Sequence, residues 1–99
     1  MSDLSEQLQD FFYGLASENR QKIFFQVFLD GQEHTVGQVV QQTGLGQSTV
    51  SEHLAILKRA GILLSRRAGK EVYYRPDREH LLAVLAHLTD FLTHCCQEE

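Results

Sequence analysis

The chain has 99 residues, 42% of them hydrophobic and 22% charged, with a formal charge of −4. That is the length of one domain of about 100–150 residues and the composition of a folded one, which excludes a disordered domain and predicts a single unit over residues 1–99. No run of about 18 apolar residues occurs, so no membrane span is expected. The opening Met1-Ser2-Asp3-Leu4-Ser5-Glu6 lacks the basic start and apolar stretch of an export signal, which predicts a cytoplasmic protein.

Leu4, Leu8, Phe11, Phe12 and Leu15 recur at helical spacing and predict a first helix with one apolar face. Ser17 is placed to N-cap a second helix carrying Ile23, Phe24, Val27 and Phe28, with Gly31 as its stop. Thr35 followed by Gln38 has the spacing of a capping box and opens a short helix through Val39 and Val40 that ends at Gly44. After the Gly44-Leu45-Gly46 turn, a helix from Gln47 to Ala60 directs Val50, Leu54, Ile56 and Leu57 inward and stops at Gly61. The period then changes. Ile62 to Arg67 and Glu71 to Arg75 read as two strands joined by Ala68-Gly69-Lys70, with β-branched and aromatic residues in the second. Pro76 ends that strand, and Asp77 caps a last helix whose apolar series runs from Leu81 to Leu92 and on to Cys95 and Cys96. This apolar face is wider than one small domain covers, so the first and last helices are expected to form a dimer surface.

Charge is unevenly spread. Between Glu52 and Arg78 seven basic residues face three acids, a balance of +4, while the rest of the chain carries −8. An acidic body with one basic segment is the electrostatic footprint of a nucleic-acid binder. Helix, glycine-containing turn, helix and basic hairpin is the order of a winged helix-turn-helix, here mainly α, with about five helices and two strands. A helix fits the major groove of DNA, and side chains near its start must reach base edges and phosphates. Gln47, Ser48, Thr49, Ser51 and His53 are the polar residues at that end, with Lys58 and Arg59 further along. Arg66, Arg67 and Lys70 put cations on the hairpin, where they meet the phosphate backbone or the adjoining minor groove. The rival reading is a winged-helix module that binds protein and has no DNA partner.

The sequence resembles the ArsR/SmtB family of metalloregulatory repressors. The resemblance rests on Leu15-Ala16-Ser17-Glu18-Asn19-Arg20, Thr35-Val36-Gly37-Gln38-Val39, Gln47-Ser48-Thr49-Val50-Ser51-Glu52-His53-Leu54 and Arg59-Ala60-Gly61-Ile62. It continues through Arg66-Arg67-Ala68-Gly69-Lys70-Glu71-Val72-Tyr73-Tyr74. It implies a homodimer joined through the first and last helices, bound to a palindromic double-stranded operator and released by an inducer.

The inducer sites that the resemblance brings match only in fragments. One arsenic-sensing type carries Cys-x-Cys where this chain has Thr35-Val36-Gly37, so that site is absent. His80 and His94 fall at two of the four zinc positions, but Arg78 and Phe91 occupy the others. His80, His87, Asp90 and His94 still share one helix stripe, which suits zinc or nickel as a divalent inducer or is simply a solvated face. Cys95-Cys96 resembles the vicinal pair of another arsenic-sensing branch, whose third cysteine has no counterpart in these 99 residues. Persulfide sensors of the family place one cysteine in the second helix, where this chain has Phe24, Phe25 and Gln26.

With no other cysteine to pair with, Cys95 and Cys96 are expected as free thiols. They then either bind As(III), act as a redox sensor, or pack as small hydrophobes. An enzyme is not expected: there is no phosphate-binding glycine loop, no His-Glu-x-x-His and no nucleophile elbow.

Overall fold

The computed structural model describes residues 4–96, with five helices and a small sheet. Helix α1 spans Leu4–Gly14 and α2 Glu18–Val27, which runs into a single 3-10 turn at Phe28–Asp30. Strand β1 (His34–Thr35) leads directly into α3 (Val36–Thr43), and a short turn joins it to α4 (Gln47–Arg59). Strands β2 (Leu63–Ala68) and β3 (Glu71–Pro76) form the hairpin, and α5 (Arg78–Cys95) closes the chain.

Local chemistry sets the boundaries. Ser17 Oγ accepts the backbone N–H of Arg20, and Asp77 Oδ1 accepts that of His80. At α3 the capping box is complete: Gln38 N–H donates to Thr35 Oγ1, and Thr35 N–H donates to Gln38 Oε1. Gly44 ends α3 in the left-handed region at φ 76°, where a Cβ would be strained, and turns the chain toward α4.

The core lies among α2, α3, α4 and the start of β2. Ile23, Phe28, Val39, Val50, Leu54, Leu57 and Ile62 have no exposed surface. Burial at about 1.5–3 kcal/mol for each large side chain makes this cluster the anchor of the helix-turn-helix. Of the apolar series predicted for α1, Leu8 is buried, Phe11 and Leu15 are half-buried and Phe12 is exposed, while the Leu4 side chain lies outside the described residues. Along α5 only Val84 is buried.

The sheet has one strand more than the two expected. Its order is β1-β3-β2, all antiparallel, with His34 opposite Tyr74 and Thr35 opposite Tyr73. A two-residue strand has no period to read, and tertiary contacts hold it. His34 is buried, its ring meets Phe28 edge-to-face, and its Nε2 lies 2.9 Å from Asp30 Oδ2. The hairpin register pairs Arg66 with Tyr73 and Arg67 with Val72, so these two arginines leave opposite faces of the ribbon.

Candidate nucleic-acid interface

The buried stripe of α4 (Val50, Leu54, Leu57) fixes which of its side chains face solvent. Gln47, Ser48, Ser51, Glu52, Ala55, Lys58 and Arg59 are exposed and recur at helical spacing, forming one outward face along the whole helix. Lys58 stands roughly 15 Å beyond Ser48 along the axis, at 1.5 Å per residue. Thr49 and His53 are different: both are half-buried on the flank of that face. The His53 ring turns toward α2, where its Nδ1 lies 3.3 Å from Arg20 Nη1. Glu52 and Ala55 were not singled out from sequence. A projection at about 100° per residue would have found them, since they share the face of Ser48 and Lys58.

Gly46 N-caps α4 without a side-chain hydrogen bond. The start of the helix thus offers backbone N–H groups and short hydroxyls together, the arrangement that meets a phosphate oxygen.

On the hairpin, the three predicted cations are not equivalent. Arg66 is engaged by Glu33, with Nε donating to Oε2 and Nη2 to Oε1, both at 2.7 Å, and its guanidinium lies 4.8 Å from the Tyr73 ring centroid. Arg75 approaches the same carboxylate at 4.0 Å. The hydrogen bond from Arg66 holds the Glu33 carboxyl below its ordinary value, and the carboxylate in turn raises Arg66. Arg67 and Lys70 are exposed and make no ion pair among the described residues. They are the cations of the hairpin free to meet an anion.

The predicted inducer residues sit on α5. His80 is half-buried and packs so closely on Gly61 that a Cβ there would lie 2.7 Å from its Nε2. His87, Asp90 and His94 are exposed, and His94 Nδ1 donates to the Asp90 carbonyl at 2.8 Å. Among the described residues no three His, Cys, Asp or Glu side chains gather as a metal site within this chain.

The expectation of free thiols is overturned: Cys95 and Cys96 are joined to each other by a disulfide. The expectation considered only other cysteines as partners, and neighbouring side chains inside a helix diverge by about 100°. Helix α5 ends at Cys95, however, and Cys96 has left helical geometry at φ −128° and ψ 47°, which lets the two sulfurs meet. Both residues are exposed, so neither packs as a core hydrophobe.

A second surface is apolar. Phe12 and Tyr13 on α1, Phe25 and Leu29 around the end of α2, and Leu82, Leu85, Phe91 and Leu92 on α5 are each 42–62% exposed. A groove of about 530 Å3 runs between α2 and α5, with Phe25, Leu29 and Leu82 on its walls. Among the described residues no helix is long and apolar enough to cross a membrane.

Comparison with known proteins agrees with this geometry. The family model described as "Bacterial regulatory protein, arsR family" matches residues 17–65, from the cap of α2 into β2. A biofilm growth-associated repressor from Xylella fastidiosa is 44% identical over 67 residues, covering 68% of this chain and 57% of that protein. The chain spans about half the length of the curated relatives it matches. The crystal structure of the transcriptional repressor BigR from Xylella fastidiosa superposes with a TM-score of 0.66 at 27% identity, over 95% of this chain and 91% of that one. An ArsR-like transcriptional regulator from Rhodococcus sp. RHA1 has the same fold, with a TM-score of 0.79 at 19% identity over 89% of this chain and 81% of that one. The family is one of regulators, not enzymes, and this winged helix-turn-helix chain belongs to the arsR family of bacterial regulatory proteins.

Proposed function

We propose that the protein is a DNA-binding transcriptional repressor that acts as a homodimer on a palindromic operator. One observation carries the reading. In a chain of net charge −4, the outward face of α4 bears short polar groups and two cations, beside a hairpin with two uncommitted cations. Helix α4 enters the major groove with Gln47, Ser48 and Ser51 nearest the bases, while Arg67 and Lys70 meet the backbone alongside. The eight exposed apolar side chains of α1, α2, the 3-10 turn and α5 support dimerisation, since a patch of that kind is rarely left in water. Two copies so joined present their α4 helices to successive grooves about one helical turn apart.

Release is assigned to the end of α5. Once reduced, Cys95 and Cys96 become adjacent thiols, soft ligands that suit As(III). A zinc or nickel response through His80, His87, Asp90 and His94 requires ligands from two chains, because one chain gathers no three of them among the described residues.

The test is fluorescence anisotropy with a duplex from the promoter of its own gene, over a salt series, with sedimentation run on the same samples. The reading expects a dimer whose affinity falls steeply with salt. Arsenite should displace the DNA from reduced protein and leave the disulfide form bound. A monomer with no affinity for the promoter at low salt overturns the repressor reading and leaves the protein-binding module. Displacement by zinc or nickel, with arsenite inert, overturns the thiol assignment.

A further inference from the structure

We propose that Arg20 and His53 form a strut through which the α1–α2 joint sets the position of α4, so that His53 governs operator affinity by positioning and not by reading a base. The inference rests on the DNA-binding reading above and concerns how that face is held.

Arg20 is 7% exposed, and a buried guanidinium is tolerated only when its N–H groups find acceptors. Its Nε donates to the Gly14 carbonyl at 2.7 Å and its Nη2 to the Tyr13 carbonyl at 3.0 Å. Both carbonyls belong to the last turn of α1, where helical partners run out; that of Tyr13 also accepts the Ala16 N–H at 3.2 Å. The guanidinium carbon also lies 5.3 Å from the Tyr13 ring centroid. Three contacts therefore fix the arginine to the end of α1.

The fourth reaches α4. Arginine has donors only, so at 3.3 Å His53 Nδ1 must be the acceptor, and the ring proton sits on Nε2. Among the described residues this is the one side-chain hydrogen bond from α4 to another element. Beyond it, a groove of about 310 Å3 opens between Asp10 and Tyr13 of α1 and Ile56 and Arg59 of α4. The strut thus adds a polar tie to the apolar contacts that already join these helices, in the core between α2 and α4 and at Gly14 against Ala60. It also ties a helix of the apolar surface, carrying Phe12 and Tyr13, to the helix that bears Gln47 and Ser51.

The experiment compares His53→Ala with His53→Asn, whose amide oxygen can stand in for Nδ1 as acceptor. His53 is half-buried, so both variants are expected to fold, whereas Arg20→Ala removes a buried hub. Operator affinity is measured over a salt series and against single base-pair changes in each half-site. Loss of a hydrogen bond to a charged group predicts a drop of about tenfold for His53→Ala. Its salt slope and base preference should stay unchanged, and His53→Asn should lie within about twofold of the parent. In the DNA-free protein, imidazole nitrogen-15 shifts should show Nδ1 unprotonated and accepting.

The proposal is overturned if His53→Asn is as weak as His53→Ala, if His53→Ala binds like the parent, or if it relaxes preference at one base pair. A proton on Nδ1 overturns it as well. An unsubstituted protein that binds no operator at low salt is instead the failure of the repressor reading, and the strut's role falls with it.

Discussion

Replacing Gly14 by alanine sets two opposing effects against each other, and the structure decides between them. Gly14 is the last residue of α1, where alanine gains up to about 1 kcal/mol of helix propensity over glycine. A Cβ at Gly14 would, however, lie 2.5 Å from Ile62 Cδ1 and 2.9 Å from Ala60 Cβ. Neither neighbour can yield readily: Ile62 is fully buried and Ala60 is 6% exposed, with no rotamer to change. Overpacking of this kind costs about 1–3 kcal/mol, and displacing the Gly14 carbonyl also disturbs the bond from Arg20 Nε. The net expectation is a loss of about 1–2 kcal/mol, or roughly 5–15 °C in Tm for a domain of this size. Gly37 is the internal control. It is exposed within α3, and its added Cβ meets only Thr35 Oγ1 at 3.9 Å, so Gly37→Ala should raise stability by about 0.4–1 kcal/mol. Thermal and urea melts at one fixed protein concentration read both, because self-association moves the apparent midpoint. A Gly14→Ala protein as stable as the parent, or more so, would refute the claim that α1 seats against Ala60 and Ile62.

On the hairpin, Arg67→Ala and Lys70→Ala should each lower the slope of log affinity against log salt by about one unit. Arg66→Ala should change it less, because Glu33 already holds that guanidinium, and Glu33→Gln should tighten DNA binding by releasing it. Equal slopes for all three arginine and lysine variants would contradict this division. Leu57→Ala empties a site with no exposed surface and should cost about 2–5 kcal/mol, read as a lower urea midpoint at unchanged slope. The Glu33 carboxyl titrates below its ordinary 4.5 because Arg66 bonds the charged form. A folded-state value below the unfolded one gives stability that is full above pH 4.5 and is lost as pH falls through the depressed value. Midpoints of the parent should therefore fall more steeply below pH 4.5 than those of Glu33→Gln, and parallel curves would argue against the pair.

The sequence alone determined what neighbouring residues decide among themselves. Ser17, Thr35 with Gln38, and Asp77 cap their helices through bonds spanning three residues, so the residue types and spacing suffice. The buried stripe of α4 and the hairpin after Gly61 follow from period, although Ile56, expected inward, is only half-buried. Only the tertiary structure decided which polar residues are spoken for. Arg20 with His53 and Glu33 with Arg66 are each 33 residues apart, and no local pattern distinguishes an engaged cation from a free one. The same distance problem hides β1, whose two residues become a strand only because β3 lies beside them. The cysteine pair differs in kind: its residues are adjacent, but the bond depends on where α5 stops, which the broad apolar pattern running through Cys96 does not mark.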